Sequence, residues 1–194
     1  MGACASRFTK PSQKRCTWRP FPMKIALVGN PNSGKTTVFN YLTGQFKKVG
    51  NYGGVTVDHF EAHLRKKYAD NHESITIVDL PGTFSLEPNS GDEKRAIDYL
   101  KNEAIDVILN IVDASQLEQS LHLTQALKEL EIPVLIALNK MDIIHKNQIE
   151  IDVETLEQML ECQVYCTVAT HKRGIQELLQ CALNEGCIYR GQKR

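Results

Sequence analysis

The stretch that decides the fold is Gly29-Asn30-Pro31-Asn32-Ser33-Gly34-Lys35-Thr36. It follows an apolar run at 23–28, which predicts a buried strand, and it precedes a helical pattern over 35–42. A strand, a GxxxxGK[ST] loop and a helix in this order predict a phosphate-binding loop, because backbone N–H groups and the helix N-terminus face the phosphates. We expect Lys35 to reach the β- and γ-phosphates and the Thr36 hydroxyl to ligate Mg²⁺.

A second motif, Asp79-Leu80-Pro81-Gly82, follows the apolar run at 75–78. An aspartate in this place can hold Mg²⁺ through water, and Gly82 can offer its N–H to the γ-phosphate without a Cβ in the way. Such a motif is weak alone, since Asp and Gly often end strands. Behind a phosphate loop it indicates nucleotide binding and catalysis.

A third motif, Asn139-Lys140-Met141-Asp142, follows the strand predicted at 133–138. The Asp142 carboxylate can accept from guanine N1–H and from the N2 amino group, and adenine lacks those donors. We therefore predict guanine selectivity, with Asn139 supporting the loop and facing the purine. The stem of Lys140 is expected to lie along the ring plane.

Strands and helices alternate along residues 23–185. Besides the elements above, the pattern predicts a half-exposed strand at 60–65, strands at 107–112 and 164–168, and helices at 117–130 and 153–160. A last helix shows the apolar face Ile175, Leu178, Leu179, Ala182 and Leu183. The sum predicts an α/β fold with a mostly parallel six-stranded sheet and helices on both faces. In such sheets ligands bind at the carboxyl ends of the strands, where each motif lies.

Charge divides the chain of 194 residues into unequal parts. Residues 1–22 carry five Lys and Arg residues and no acid, so the neutral chain leaves residues 23–194 at −5. An acidic body argues against nucleic-acid binding, which needs a basic face. No apolar run approaches the roughly 20 residues that cross a bilayer. Cys162 and Cys166 are a poor metal signature, and we expect the six cysteines to be reduced.

Residues 1–22 are expected to be a disordered basic extension or a segment added during cloning, and 186–194 a tail. The opening Met-Gly-Ala-Cys-Ala-Ser fits a myristoylation pattern at Gly2, with Cys4 as a palmitoylation site. A cloning scar or an upstream mis-start fits as well, because Met23 would make a natural beginning. The sequence leaves these alternatives open.

The three motifs resemble those of Ras-like G domains of the translation-factor class, over nearly all of residues 23–185. A narrower resemblance is to the G domain of ferrous iron transport protein B. Three segments carry it, Asn30-Pro31-Asn32-Ser33-Gly34-Lys35-Thr36-Thr37, Gly50-Asn51-Tyr52-Gly53-Gly54-Val55-Thr56-Val57 and Asp79-Leu80-Pro81-Gly82-Thr83-Phe84-Ser85-Leu86.

The resemblance implies that the middle segment is the first switch. Gly54, Val55 and Thr56 would then contact the nucleotide, with Thr56 on Mg²⁺ and the γ-phosphate. Tyr52 and Gly53 stand where the family usually has Trp-Pro, and this loosens the switch because Gly is freer than Pro.

The resemblance also bears on turnover. Ras-like domains place a water-orienting glutamine after the Gly82 position, where this chain has Thr83, and no arginine finger is identifiable. Hydrolysis is thus expected to be slow or to depend on another charge. The family implies K⁺, with Asn32 as a ligand; a plain turn residue is the equally weighted alternative.

The fifth motif of G domains matches Ala169-Thr170. Backbone N–H groups at these residues can hold guanine O6. The family's usual serine hydroxyl is absent here, which leaves nucleotide retention in question.

The resemblance implies GTP/GDP binding, GTP hydrolysis and a regulatory role in ferrous iron uptake. It implies a membrane transporter domain or a regulatory protein as partner, a dimer through the switches, and a cytoplasmic place at the inner face of the membrane. Two alternatives stay open: an RNA- or ribosome-linked GTPase, and a nucleotide-binding switch module with negligible hydrolysis.

Overall fold

The computed structural model describes residues 22–45, 59–68, 75–82 and 91–192. Six strands lie at β1 Met23–Val28, β2 Phe60–His63, β3 Ile75–Asp79, β4 Val107–Asp113, β5 Val134–Asn139 and β6 Val164–Cys166. Six helices lie at α1 Lys35–Thr43, α2 Gly91–Asn102, α3 Leu117–Lys128, α4 Met141–Lys146, α5 Val153–Leu160 and α6 Ile175–Gln192. Short 3₁₀ turns occur at Lys66–Tyr68, Ala114–Gln116 and Ala169–His171.

The strands form a single sheet in the order β2-β3-β1-β4-β5-β6. Among the described strand pairs only β2–β3 is antiparallel, and β1 lies between β3 and β4. After β1 the chain first adds β2 and β3 on one side of this strand and then β4, β5 and β6 on its other side. The strand order thus reverses at β1, and in such sheets ligands bind at the carboxyl end of the strand where the order reverses. The predicted fold class is confirmed.

Helices cover both faces of the sheet. On one face, α1 and α6 bury their apolar stripes against β1, β3 and β4, with Ile25, Leu42 and Leu179 among the buried side chains. On the other face, α2 and α3 pack on β1 and β4, and α4 and α5 pack on β5 and β6. The central strand β4 is buried at all of its positions because helices cover it on both sides.

Two helices were not predicted. Helix α2 occupies a strongly charged stretch, and the buried apolar residues among its described side chains are Ala96, Ile97 and Leu100, too few to show a long apolar period. Helix α4 has six residues and buries only Met141 and Ile144. Each of these two helices is stabilised by a few tertiary contacts, although its own sequence favours a helix only weakly.

The closing helix is longer than its apolar face predicted. Helix α6 reaches Gln192, so the expected boundary at residue 185 falls inside it and most of 186–194 is helical. Gly186 is buried, and a Cβ at this position would lie 3.0 Å from side-chain atoms of Met23 and Val107. Arg190 binds Asp106 at the amino end of β4. This last turn is thus packed onto the sheet.

The cysteines differ in state. Cys162 and Cys181 are half-buried free thiols, whereas Cys187 is disulfide-bonded. The expectation that all six cysteines are reduced is therefore wrong for Cys187. Burial raises the pKa of the Cys162 and Cys181 thiols, so these two favour the protonated, unreactive form.

Candidate functional site

The loop between β1 and α1 curls because two of its glycines adopt conformations that favour glycine. Gly29 has φ 144° and Gly34 has φ 105°. A Cβ at Gly29 would lie 2.2 Å from the Ile111 carbonyl oxygen, and one at Gly34 would lie 2.3 Å from Asn139 Nδ2. Both are closer than real Cβ contacts, so the loop can pack against β4 and β5 only with glycine at these positions.

Lys35 lies at the centre of this loop. Its side chain is buried, and Nζ donates to the Gly29 carbonyl at 2.7 Å and to the Asn30 carbonyl at 2.9 Å. Helix α1 begins at the same residue, with no side-chain cap at Gly34 and no acid in its first turn. The first N–H groups of a helix have no intrahelical acceptor. A buried ammonium and an uncapped helix start form a site for an anion such as a phosphate.

The rest of the phosphate loop combines anchored and exposed residues. Asn30 donates through Nδ2 to Ser120 Oγ on α3 at 3.2 Å, which ties the loop to a neighbouring helix. The buried atoms Asn30 Oδ1 and Ser33 Oγ accept no hydrogen bond within the described part of the chain. Pro31 and Asn32 are exposed, Asn32 in the left-handed region with φ 62°. Thr36 and Thr37 are half-buried in the first turn of α1.

The second motif lies against the first. Asp79 ends β3 opposite Leu27 of β1 and is 2% exposed, and the next residue, Leu80, donates its N–H to the Leu27 carbonyl at 3.3 Å. Pro81 and Gly82 are half-buried. A Cβ at Gly82 would come within 3.0 Å of the Pro31 backbone. The Gly82 backbone thus borders the phosphate loop, as a donor to a terminal phosphate must.

The oxygen atoms at this edge fit Mg²⁺. Mg²⁺ is usually held by one or two protein oxygens, substrate phosphates and waters, and seldom by a cage of protein ligands. The buried Asp79 carboxylate at the end of β3 and the Thr36 hydroxyl in the first turn of α1 are ligands of this kind. Among the described residues, no group of three His, Cys, Asp or Glu side chains is placed to hold a metal ion by itself.

Asn139 joins three loops. Its Nδ2 donates to the Ser33 carbonyl at 2.8 Å, and its Oδ1 accepts from the Ala169 N–H at 2.9 Å and from Thr167 Oγ1 at 3.2 Å. The side chain is 3% exposed. These contacts link the phosphate loop with the loop after β6.

Lys140 forms an ion pair with Asp113, a residue that the sequence motifs do not include. Lys140 has φ 66°, and its Nζ lies 2.6 Å from Asp113 Oδ2 at the end of β4. Asp113 Oδ1 accepts from Ser115 N at 3.0 Å and from Ser115 Oγ at 2.6 Å. Burial alone would raise the pKa of the Asp113 carboxyl, but the bonds from Lys140 and Ser115 outweigh it and lower the pKa. An aspartate directly after the apolar run 107–112 was the available signal.

The other residues predicted to contact the base, in the loops after β5 and β6, differ in exposure. Met141 is buried and donates its N–H to the Thr167 carbonyl at 3.3 Å, while Asp142 is exposed in the first turn of α4. Ala169 is buried and Thr170 is exposed in the turn at Ala169–His171. The exposed carboxylate can meet a base from solvent, while its neighbours are anchored. The predicted residues Gly54, Val55, Thr56 and Thr83 lie outside the described residues.

The fold and these loops define the class. A P-loop, a DxxG segment and an NKxD segment meet at the carboxyl edge of a six-stranded α/β sheet, and this arrangement is a Ras-like P-loop G domain. The family model of ferrous iron transport protein B matches residues 23–182. The chain therefore belongs to the ferrous iron transport protein B family, and the predicted family is confirmed.

Sequence similarity to individual transporters supports this family assignment. The chain is 47% identical over 160 residues to the Fe(2+) transporter FeoB of Salmonella typhimurium and 45% identical to that of Escherichia coli K12. Each match covers 80% of this chain and 20% of the relative. The chain thus corresponds to about a fifth of the length of these transporters.

Solved structures give the same fold. The FeoB G domain from Methanococcus jannaschii has a TM-score of 0.71 and 43% identity, and the match covers 84% of this chain and 97% of that one. NFeoB from S. thermophilus bound to GDP.AlF4⁻ and K⁺ has a TM-score of 0.75 and 43% identity. That match covers 83% of this chain and 61% of the other. In the part of this chain that the structure describes, no helix is long and apolar enough to span a membrane.

Proposed function

We propose that this chain binds GTP, hydrolyses its β–γ anhydride with Mg²⁺, and acts as the regulatory G domain of a ferrous iron uptake system. The observation that carries the proposal is the meeting of four loops at one sheet edge. Asn139 is bonded to Ser33, Thr167 and Ala169, and Gly82 borders Pro31. Residues that would contact phosphate, metal and base are thereby gathered at one edge of the sheet.

The phosphate end supplies positive charge and donors. Lys35 would exchange its bonds with the Gly29 and Asn30 carbonyls for phosphate oxygens, and the N-terminus of α1 would face the same anion. Thr36, Asp79 and Thr56 would hold Mg²⁺, which neutralises charge on the β- and γ-phosphates when bound. Gly82 would donate its N–H to the γ-phosphate. This arrangement stabilises the charge that develops in phosphoryl transfer.

The base end selects guanine. The exposed Asp142 carboxylate would accept from the two donors of the guanine edge, and the Ala169 and Thr170 backbone would face O6. We expect Asp142→Asn to lower GTP affinity about a hundredfold and to favour xanthosine triphosphate, whose 2-oxo group needs a donor. Isothermal titration with both nucleotides measures this. Unchanged GTP affinity would show that the base lies elsewhere.

Turnover is proposed to depend on K⁺. The S. thermophilus relative was solved with GDP.AlF4⁻ and K⁺ together, and Asn32 of this chain presents an exposed side chain on the phosphate loop. A monovalent cation held beside the β–γ bridge would offset charge as an arginine finger does. Slow turnover without such a cation follows from Thr83, which is too short to orient the attacking water.

A single-turnover GTP assay tests the proposal. Replacing Na⁺ by K⁺ at constant ionic strength is expected to raise the rate at least about tenfold, which is about 1.4 kcal/mol of barrier. Asn32→Ala should erase most of that difference and leave nucleotide affinity within a few fold. Asn184, an exposed asparagine on α6 outside the motifs, offers a matched control as Asn184→Ala. Equal rates in the two salts would assign the catalytic charge to a partner protein.

The role in iron uptake rests on the relatives. They are named Fe(2+) transporters, and this chain matches about a fifth of their length. We propose that it works with a membrane transporter domain or a regulatory protein at the inner face of the membrane, with GTP or GDP deciding which state is favoured. A dimer through the switch segments is part of the same proposal. Fe²⁺ is the cargo and has no site in this proposal.

Two other functions would give different results in the same assays. A nucleotide-binding switch without hydrolysis would bind GTP and GDP but show no turnover in either salt. An RNA- or ribosome-linked GTPase would turn over faster in the presence of RNA. The acidic net charge of residues 23–194 favours neither extended RNA contact nor a ribosomal site.

A further inference from the structure

Most unpaired cations of the described chain gather in one place. Lys24, Lys128, Lys140 and Arg190 form ion pairs with carboxylates. Seven other exposed Lys and Arg side chains make no ion pair with any described carboxylate, and five of these seven come from two short segments. The five are Arg65, Lys66, Lys67, Lys172 and Arg173.

The two segments meet at Tyr41 of α1. The Tyr41 ring of α1 has Lys67 Nζ 5.6 Å and Lys172 Nζ 6.0 Å from its centroid. Lys67 Nζ also lies 4.4 Å from the Tyr68 ring, which is 5.7 Å from Tyr41. We call the two tyrosines and the five cations the Tyr41 patch. Its charge is opposite in sign to the net −5 of residues 23–194.

We propose that the Tyr41 patch docks on an anionic lipid surface. Five positive charges without a described carboxylate partner lie on the two segments that meet at Tyr41, and such a group attracts a plane of phosphates. Tyr is also a residue that suits the polar zone of a bilayer. The negative C-terminal end of α1 could also attract cations, since it lies beside Arg65, whose N–H donates to the Leu42 carbonyl. That helix end carries about half a negative charge, which is too little to account for five cations.

Two other partners fit less well. Single-stranded nucleic acid needs open aromatic faces for stacking, but both tyrosines are half-buried and have lysines over their rings. A protein partner needs large apolar anchors, and the exposed ones in the described chain are Ile143, Ile149, Met159 and Ile188, all outside the patch. A lipid surface needs neither feature.

The test is vesicle sedimentation with the full, unmodified chain. The vesicles are phosphatidylcholine alone and phosphatidylcholine with phosphatidylglycerol, at low and at physiological salt. We expect binding only to the anionic vesicles and weaker binding in salt, because exposed charges are screened. Each lysine near an anionic surface contributes about 1 kcal/mol, so Lys67→Gln/Lys172→Gln should lower the partition coefficient about thirtyfold.

The chain offers a matched control. Lys101 and Lys146 are also exposed and unpaired with a described carboxylate, but they lie on α2 and α4. Lys101→Gln/Lys146→Gln changes the net charge equally and should bind like the unchanged chain. Equal weakening in both double variants would reduce the effect to net charge and overturn the proposal, as would an absence of binding by the unchanged chain.

Two further arms separate other sources of binding. Changing the five bases of 1–22 to Gln should leave the difference between the double variants intact. If that change alone abolishes binding, the extension and not the patch meets the lipid. If a single-stranded RNA oligomer loses affinity with the patch variant while vesicles do not, the partner is RNA. GTP turnover in solution should be the same in both double variants, so failure here leaves the proposed GTPase untouched.

Discussion

The two edges of the sheet use buried polar groups differently. At the amino edge, the Asp106 carboxylate accepts from the Lys24 N–H at 2.7 Å and from Arg190 Nε, so both oxygens are bonded. At the carboxyl edge, Asn30 Oδ1 and Ser33 Oγ are buried without a hydrogen bond in the described part of the chain. Buried polar atoms normally find partners, so Asp106 is satisfied within the protein, whereas the two phosphate-loop atoms are suited to a ligand.

Substitution of Asn139 should give the largest effect at the carboxyl edge, because this side chain contributes both to folding and to the site. Asn139→Ala removes three hydrogen bonds and leaves the buried Ser33 carbonyl and Ala169 N–H unpaired. We expect about 3 kcal/mol lower unfolding free energy and about a hundredfold weaker GDP binding. Urea denaturation and nucleotide titration measure the two effects.

A buried asparagine on the same sheet provides the control. Asn110 lies in the middle of β4, opposite Val28, and donates to Thr124 Oγ1 at 2.7 Å; unlike Asn139, it has no hydrogen bond to a phosphate-loop residue among the described residues. Asn110→Ala should destabilise the fold and leave GDP affinity within a few fold. If both variants lost the same affinity, Asn139 would act through overall stability alone.

The amino edge should respond in stability only. Asp106→Ala leaves the Lys24 N–H and the Arg190 guanidinium without their acceptor. Because the Arg190 side chain is partly exposed, we expect a moderate loss of about 2 kcal/mol. GTP and GDP affinities should not change. A loss of nucleotide affinity in folded Asp106→Ala would show that the two edges are coupled.

Acid should act on the carboxyl edge through Asp113. Its pKa is lowered in the folded chain, because the bonds from Lys140 and Ser115 outweigh burial. A lowered pKa contributes stability that is present above the ordinary aspartate pKa of about 4 and is lost as pH falls through the folded value. Unfolding free energy should therefore fall less between neutral and acid pH in Asp113→Asn than in the unchanged chain. Parallel pH profiles would contradict this.

The smallest effect is expected at Tyr99, near the amino edge. Its hydroxyl donates to Glu61 and accepts from Lys24 Nζ at 3.4 Å. Burial and the bond to Glu61 raise the pKa of Tyr99 to about 12. Tyr99→Phe should cost at most about 1 kcal/mol, since these partners stay solvated, and it should not alter nucleotide affinity. Spectroscopic titration should lose one tyrosine that ionises near pH 12.

Much of the site followed from the sequence because its motifs are local. The strand, glycine loop and helix around Lys35 are consecutive, and their spacing alone predicts the phosphate loop. The bonds that hold this loop are not local. Asn139 meets Ser33 across 106 residues and Asn30 meets Ser120 across 90. No pattern in one chain pairs such residues, so their roles became clear only in the fold.

The helical segments that the sequence did not predict likewise depend on contacts between residues far apart in the chain. Helix α2 contacts the core through Ala96, Ile97 and Leu100 in a charged stretch, and the last turn of α6 is fixed by Gly186 and Arg190. In both, a few contacts with distant strands decide the conformation. The Lys140–Asp113 ion pair likewise depends on β4 and β5 being neighbours.

The Asn139 bonds also have a kinetic consequence. They connect Ser33, Thr167 and Ala169 in the free protein, so these parts of the site need not be assembled by the incoming ligand. A preorganised site avoids much of the entropy loss of ordering loops on association. The association rate constant of GDP should then lie at or above about 10⁶ M⁻¹s⁻¹, the middle of the usual range, and variants of the base loop should differ mainly in residence time.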